Sequence, residues 1–184
     1  MRRLFTFPLV LVVLAAACQT GDAPVAPRVD VRAAPDTASR FSARTEDDWL
    51  AIVQPYRAEL TEASAGLLYT SESDYPFDYV SRPLFLRDTL TLATFRLAFG
   101  VARTTPVDVR TLDRFFAPHI ERVDPNDPVS VALVPRYENL KFQLQELLDA
   151  PKVYCVGTIR LRCYAVGTNT EGVVAGLATT AIET

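Results

Sequence analysis

Residues 173–182 read Val-Val-Ala-Gly-Leu-Ala-Thr-Thr-Ala-Ile, a stretch with no charge on either parity. A strand alternates its side chains between two faces, so a strand apolar on both parities is covered on both and belongs inside a sheet. Working back from it, Thr168-Asn-Thr-Glu-Gly172 has turn composition. Before that turn Ile159, Leu161, Cys163 and Ala165 alternate with Arg160, Arg162 and Tyr164, as in a neighbouring strand with one covered and one more polar face.

Helices must supply the cover. Trp49, Ile52, Val53, Tyr56, Leu60, Ala63 and Leu67 recur at helical spacing after Thr45-Glu-Asp-Asp48, whose threonine suits a cap and whose acids suit a first turn. Pro55 is expected to kink or split this helix, and Gly66 to end it in a left-handed cap. Asp127-Pro128 fits the cap and first position of a second long helix, with Val131, Val134, Tyr137, Leu140, Leu144, Leu147 and Leu148 as its apolar stripe. Pro135 marks an irregularity, and the helix should stop at Ala150, before Pro151. Thr111–Phe116 suggests a shorter helix. From Leu84 to Phe99 the parity of Leu84, Leu86, Leu90 and Leu92, and then of Phe95, Leu97 and Phe99, predicts strand, broken by a bulge or turn near Ala93-Thr94. Two good helices and about four strands in mixed order imply an α/β sheet with helices packed on it.

The start of the chain reads differently. Met1-Arg2-Arg3, an apolar run from Leu4 to Leu14 and Ala15-Ala16-Ala17-Cys18 follow the order of a secretory signal. About eleven apolar residues, interrupted by Pro8, are too few to cross a hydrocarbon core of roughly 30 Å as a helix. Because the small-residue site ends on cysteine, residues 1–17 resemble a lipoprotein signal, with Cys18 lipidated as the mature N-terminus; ordinary cleavage near Ala17 is the alternative. The expected location is extracytoplasmic, as a lipoprotein anchored in the periplasm or at the cell surface. Residues 18–44 then form the lipidated cysteine and a linker rich in Ala, Pro, Asp, Ser and Arg. Residues 45–184 are the size of one domain with a sizeable core. Net charge is −3, and −5 without Arg2 and Arg3. An acidic balance disfavours nucleic acid or an anionic membrane surface as direct ligand, and favours a basic protein; membrane contact is expected only through Cys18.

Chemistry is sparse. His119 is the only histidine, which excludes a histidine-rich metal site and leaves any serine triad a single base. Neither Ser71 nor Ser73 lies in a nucleophile-elbow pattern, and His119 reads as a solvated loop residue. The glycines are scattered and form no phosphate-cradling loop. Glu72, Asp74 and Asp78 crowd Thr70-Ser-Glu-Ser-Asp-Tyr-Pro-Phe-Asp78, yet no second carboxyl group across a cleft is identifiable. No catalytic residue, cofactor or resident metal is expected. If Gly157-Thr158 formed a two-residue hairpin turn, Cys155 would face Arg160 and Cys163 would lie three pairs further along. That leans against a bridge between the two cysteines.

Two blocks resemble a known family. Residues 59–80, "ELTEASAGLLYTSESDYPFDYV", and 150–184, "APKVYCVGTIRLRCYAVGTNTEGVVAGLATTAIET", are similar to the signature blocks of the nuclease A inhibitor family, inhibitors of a sugar-nonspecific DNA/RNA endonuclease. Gly66-Leu67-Leu68, Ser71–Phe77 and Glu183-Thr184 carry the likeness, which spans roughly residues 45–184. The resemblance implies a three-layer α/β/α sandwich, with a mixed central sheet and helices on both faces. It also implies competitive blockade, in which Glu72 reaches the catalytic Mg²⁺ of the nuclease and Thr184 lies beside it. Ser71, Ser73, Asp74 and Tyr75 complete the expected partner-binding set, with no metal of the inhibitor's own. The loop "APHIERVDPNDPVS" departs from the family by lacking a tryptophan, although Glu121, Asp124 and Asp127 keep it acidic. An exported inhibitor would act on a secreted or periplasmic Mg²⁺-dependent nuclease. The alternative is a tethered extracytoplasmic binding module of the same fold, with another protein or envelope ligand.

Overall fold

The structure, a computed structural model, describes residues 46–183, with side chains from residue 48 onward. Cys18, Thr45 and Thr184 lie outside it, and so do the expected signal, anchor, linker and first helix cap. Helix α1 spans Glu46–Ser64, followed by strands β1 (Leu68–Thr70), β2 (Asp74–Pro76) and β3 (Asp78–Phe85). Helix α2 (Leu92–Phe99), strand β4 (Val107–Arg110) and helices α3 (Leu112–Ile120) and α4 (Pro128–Leu147) come next. The chain then runs through β5 (Asp149–Val156), β6 (Arg160–Thr168) and β7 (Val173–Ile182).

A five-stranded sheet in the order β3-β7-β6-β5-β4 carries the fold, with β1 and β2 forming a separate two-stranded hairpin. As the uncharged 173–182 stretch predicted, β7 lies between two neighbours, and from Val173 to Ala181 every residue is buried. Every pair in both sheets is antiparallel, which corrects the expected mixed sheet. The reason is local: β5, β6 and β7 follow one another through short hairpins, and such connections allow only antiparallel neighbours.

Alternating strand residues go to opposite sides of this sheet. Val153, Cys155, Leu161, Cys163, Ala165, Ala175, Leu177 and Ala181 share one cluster with Leu60 of α1, Leu112, Phe115 and Phe116 of α3, and Tyr137, Leu140 and Leu144 of α4. Tyr154, Val166 and Val174, of the other parity, cluster with Phe95 of α2. Gly176, at φ +151° in the middle of β7, is required there, since a Cβ would come within 2.1 Å of the Ala165 carbonyl oxygen.

The long helices form where expected. Pro55 and Pro135 are accommodated inside α1 and α4, and Asp127 caps α4 through the Val129 N–H at 3.1 Å. Gly66, at φ +69°, follows α1. Three corrections concern boundaries and type. Residues 92–99 are helix, not strand, because Thr91 and Thr94 form a reciprocal capping box and Gly100 closes the far end at φ +66°. Their apolar residues Leu92, Phe95 and Phe99 fit helical spacing as well as strand parity, and the caps decide between the two. Helix α4 ends at Leu147 rather than Ala150, because Ala150 (φ +42°) and Pro151 form an irregularity within β5. Strands outnumber the expected four: seven form among the described residues, with the acidic stretch supplying β1 and β2 and residues 107–110 and 149–156 supplying β4 and β5.

Cys155 and Cys163 are bridged, with Sγ–Sγ 2.05 Å, contrary to the turn-based expectation. The hairpin does not use a two-residue turn. Its last pair is Val156 with Arg162, and this register sets Cys155 directly opposite Cys163, Cα–Cα 4.0 Å.

Candidate functional site: the acidic hairpin and the end of the last strand

The β1–β2 hairpin pairs Leu68 with Pro76, Tyr69 with Tyr75 and Thr70 with Asp74, leaving Ser71, Glu72 and Ser73 at its tip. Pairing puts Tyr69 on the inward side, where its ring stacks on Phe115 (4.5 Å) and meets Phe77 (6.4 Å) and His119 (4.9 Å) edge-on. Tyr137 of α4 donates its hydroxyl to the Leu68 carbonyl at 2.7 Å, fixing the foot of β1. Glu72, Ser73 and Asp74 are exposed, while Ser71 and Tyr75 are half-buried.

Ser71 ties the tip down twice. Its hydroxyl donates to the Ser73 carbonyl at 3.1 Å and accepts the Ile182 N–H at 2.9 Å. The second bond joins the acidic tip to the end of β7, 111 residues away in sequence. Glu183 follows, its N–H donating to the Ile159 carbonyl at the β5–β6 tip (2.9 Å). Its carboxylate is held by Arg110 in a two-point ion pair at 2.7 and 2.9 Å. Arg110 also donates to Asp108 at 2.7 Å. The paired guanidinium keeps the Glu183 carboxyl below its usual range. Nearby, Arg160 lies over the Tyr75 ring at 5.5 Å, and Arg162 pairs with Asp78 at 2.9 Å.

Five of the expected partner-binding residues (Ser71, Glu72, Ser73, Asp74 and Tyr75) are therefore consecutive in one hairpin, beside the end of β7. Thr184 lies outside the described residues; Glu183, to which it is bonded, ends at this site.

His119 is a correction. It is not a solvated loop residue but sits in α3, 7% exposed, stacked on Tyr137 (4.6 Å). It belongs to the apolar stripe of a short helix whose last residues are Phe-Phe-Ala-Pro-His-Ile, and that stripe is the signal in the sequence for its burial. Burial lowers its pKa, against an opposing effect from Asp74, and its Nε2 has no protein partner. A cavity of about 300 Å³ opens beside it, lined by Thr70, Arg122, Asp124, Asp127 and Tyr137 among others. Among the described residues no group of three or more His, Cys, Asp or Glu could hold a metal ion.

This hairpin and strand end fall within the reach of a family model: the nuclease A inhibitor-like protein model matches residues 54–184. The chain belongs to the nuclease A inhibitor-like family. No curated protein matches it. The family match embraces α1 from Gln54 onward, the acidic hairpin and all five strands of the main sheet, so both halves of the site lie inside it.

Proposed function

We propose that this nuclease A inhibitor-like chain inhibits a Mg²⁺-dependent nonspecific nuclease by presenting the Ser71–Tyr75 hairpin and the C-terminal residues to its active site. The observation that carries this is the Ser71 hydroxyl bridge to Ile182, which unites the acidic tip and the end of β7 on one surface. Glu72 is exposed at a tip whose neighbour is fixed at both ends, so little conformational freedom remains to be lost on binding. A Mg²⁺ ion that keeps positions open for phosphate oxygens accepts a carboxylate in their place. Asp74 and the acidic surroundings complement a basic nucleic-acid groove and speed association. Tyr75, held against Arg160, suits a rim contact. Residues 1–18 support export and a lipidated Cys18, so the target would be a secreted or periplasmic nuclease. Helices α1, α3 and α4 against one side of the sheet and α2 against the other support an α/β/α sandwich.

The test is titration of a Mg²⁺-dependent nonspecific nuclease with the unmodified domain and with Glu72→Gln. Loss of a charged contact at the metal should weaken inhibition at least about 30-fold, equivalent to roughly 2 kcal/mol. Equal potency of the two proteins would sink the metal-contact mechanism. Inhibition by neither would favour a binding module with another ligand.

A further inference from the structure

We propose that the α2 side of the sheet is a docking surface for an anionic phospholipid bilayer. The inference does not depend on the inhibitor function proposed above, and it concerns the side of the sheet opposite to the one on which the acidic hairpin packs. Charge carries it first. Residues 48–183 hold 17 Asp and Glu against 13 Lys and Arg, yet the two signs are not mixed evenly. Lys152 pairs with Val166 and Arg162 with Val156, so both stand on the sheet face that α2 covers. Arg96 and Arg103 come from α2 and the loop after it. Arg82 donates from Nε to the Ala98 carbonyl of α2 at 3.1 Å, with its guanidinium 4.7 Å from the centre of the Phe99 ring. Against these five cations the same side carries Asp78, ion-paired with Arg162 at 2.9 Å, and Asp149, which lies opposite Thr168; Arg87 and Asp88 are adjacent and cancel. An acidic domain thus has one basic side, which the net charge of the whole chain averages away.

Apolar groups stand among those cations. Leu92 and Leu97 of α2 are exposed, and so is Val109 of β4, which lies opposite Tyr154. A groove runs beside the two leucines, lined by Leu92, Arg96, Leu97, Val101 and Arg103 among others. Arg96 shapes it: its guanidinium donates to the Ala102 carbonyl and, at 2.9 Å, to the Thr105 carbonyl, which folds the 101–105 loop back along the helix. The charge of Arg103 is thereby held beside exposed leucines. The rings of α2, Phe95 and Phe99, pack inward, so what the helix offers outward is aliphatic. Protein partners are anchored above all by aromatic rings and arginine, and a nucleic-acid backbone gives leucines nothing to bury against. Leucines flanked by cations suit the boundary between acyl chains and anionic headgroups, where the apolar groups enter and the guanidinium meets phosphate.

The experiment uses the full chain carrying Leu97→Trp, which puts an indole at the centre of the surface, beside the unmodified chain, whose one tryptophan is Trp49. Each is mixed with vesicles of phosphatidylcholine alone, or of phosphatidylcholine and phosphatidylglycerol in equal parts, with brominated acyl chains that quench tryptophan on contact. The expected result is quenching of Leu97→Trp by the anionic vesicles and not by the neutral ones, beyond any quenching of the unmodified chain. Attachment through another part of the chain would not bring this position to the acyl chains. Adding Arg103→Gln and Lys152→Gln should lower the ratio of docked to undocked protein about 25-fold, roughly fivefold per cation removed. Salt at about 1 M should act in the same direction. All three substituted positions are exposed, and an unchanged urea midpoint checks that each variant is folded. Absence of quenching, equal quenching by neutral vesicles, or an undiminished effect in the charge variant would overturn the proposal. A shift in Leu97→Trp emission with polyglutamate but no quenching by vesicles would overturn it in favour of an acidic protein. No nuclease enters the measurement, so failure of the inhibitor function leaves this test standing.

Discussion

The two sides of the five-stranded sheet are built to different depths. On one, α1, α3 and α4 cover a cluster that includes Phe115, Phe116, Tyr137, Leu140 and Leu144, and the rings of Tyr69, Phe77 and His119 extend it to the foot of the acidic hairpin. On the other, the eight-residue α2 is the helix contributing to the cluster, with Phe95 stacked on Tyr154 at 4.2 Å and packed against Phe99 and Tyr164. The candidate site grows from the deep side. Its hairpin is an extension of a core, so its rigidity comes from ring packing as well as from the bonds at its tip. The shallow side leaves apolar surface outward, with Leu97 75% exposed.

That contrast can be broken or sharpened by substitution. The largest effect should come from Phe95→Ala on the shallow side. Phe95 is fully buried and makes three ring contacts, so about 3–5 kcal/mol of stability should be lost in urea denaturation. Under conditions where the variant remains folded, its inhibitory potency should be unchanged, because the acidic hairpin packs on the other side. Loss of potency in proportion to stability would show that the two sides are not independent.

A smaller effect isolates the deep side. His119 has a folded-state pKa below the usual 6.5 because burial disfavours its charged form. Well above pH 6.5 it is neutral folded and unfolded and contributes no pH dependence. As pH falls below 6.5 the unfolded chain takes the proton first, so stability should decline, with a slope of at most about 1.4 kcal/mol per pH unit. His119→Phe should flatten that part of a stability–pH curve, and an unaltered slope would contradict the buried, neutral histidine. The smallest effect belongs to Leu97→Gln, expected to change stability by no more than about 0.5 kcal/mol. A cooperative loss there would mean that α2 buries more than Phe95 and Phe99.

The same contrast separates what could be read in the residues from what could not. Helix α4, with Asp127-Pro128 at its start and a full apolar stripe, and strand β7, apolar on both parities, each carry a redundant local pattern. Helix α2 does not: in eight residues, Phe95, Leu97 and Phe99 satisfy strand parity while Leu92, Phe95 and Phe99 satisfy helical spacing. The deciding signals, Thr91 with Thr94 and then Gly100, are single residues outside the periodicity. The bridge between Cys155 and Cys163 escaped because hairpin register depends on loop length, and a three-residue change in register exchanges Arg160 for Cys163 opposite Cys155. At the site, the acidic residues of 71–75 stood out by composition and by resemblance. The Ser71 bridge and the Arg110 clamp had no local signature, since each joins residues more than seventy positions apart.

The place of β7 in the sheet has a consequence for the order in which the protein can come into being. The last of the described strands is an interior one, inserted between β3 and β6. Until residues 173–182 have emerged, β3 has no partner in the main sheet and β6 has only one, and the acidic tip has no Ile182 N–H to close on. A growing or threaded chain is therefore an open set of strands, and the candidate surface is assembled in the same event that completes the main sheet. A chain made only as far as β6 cannot carry it.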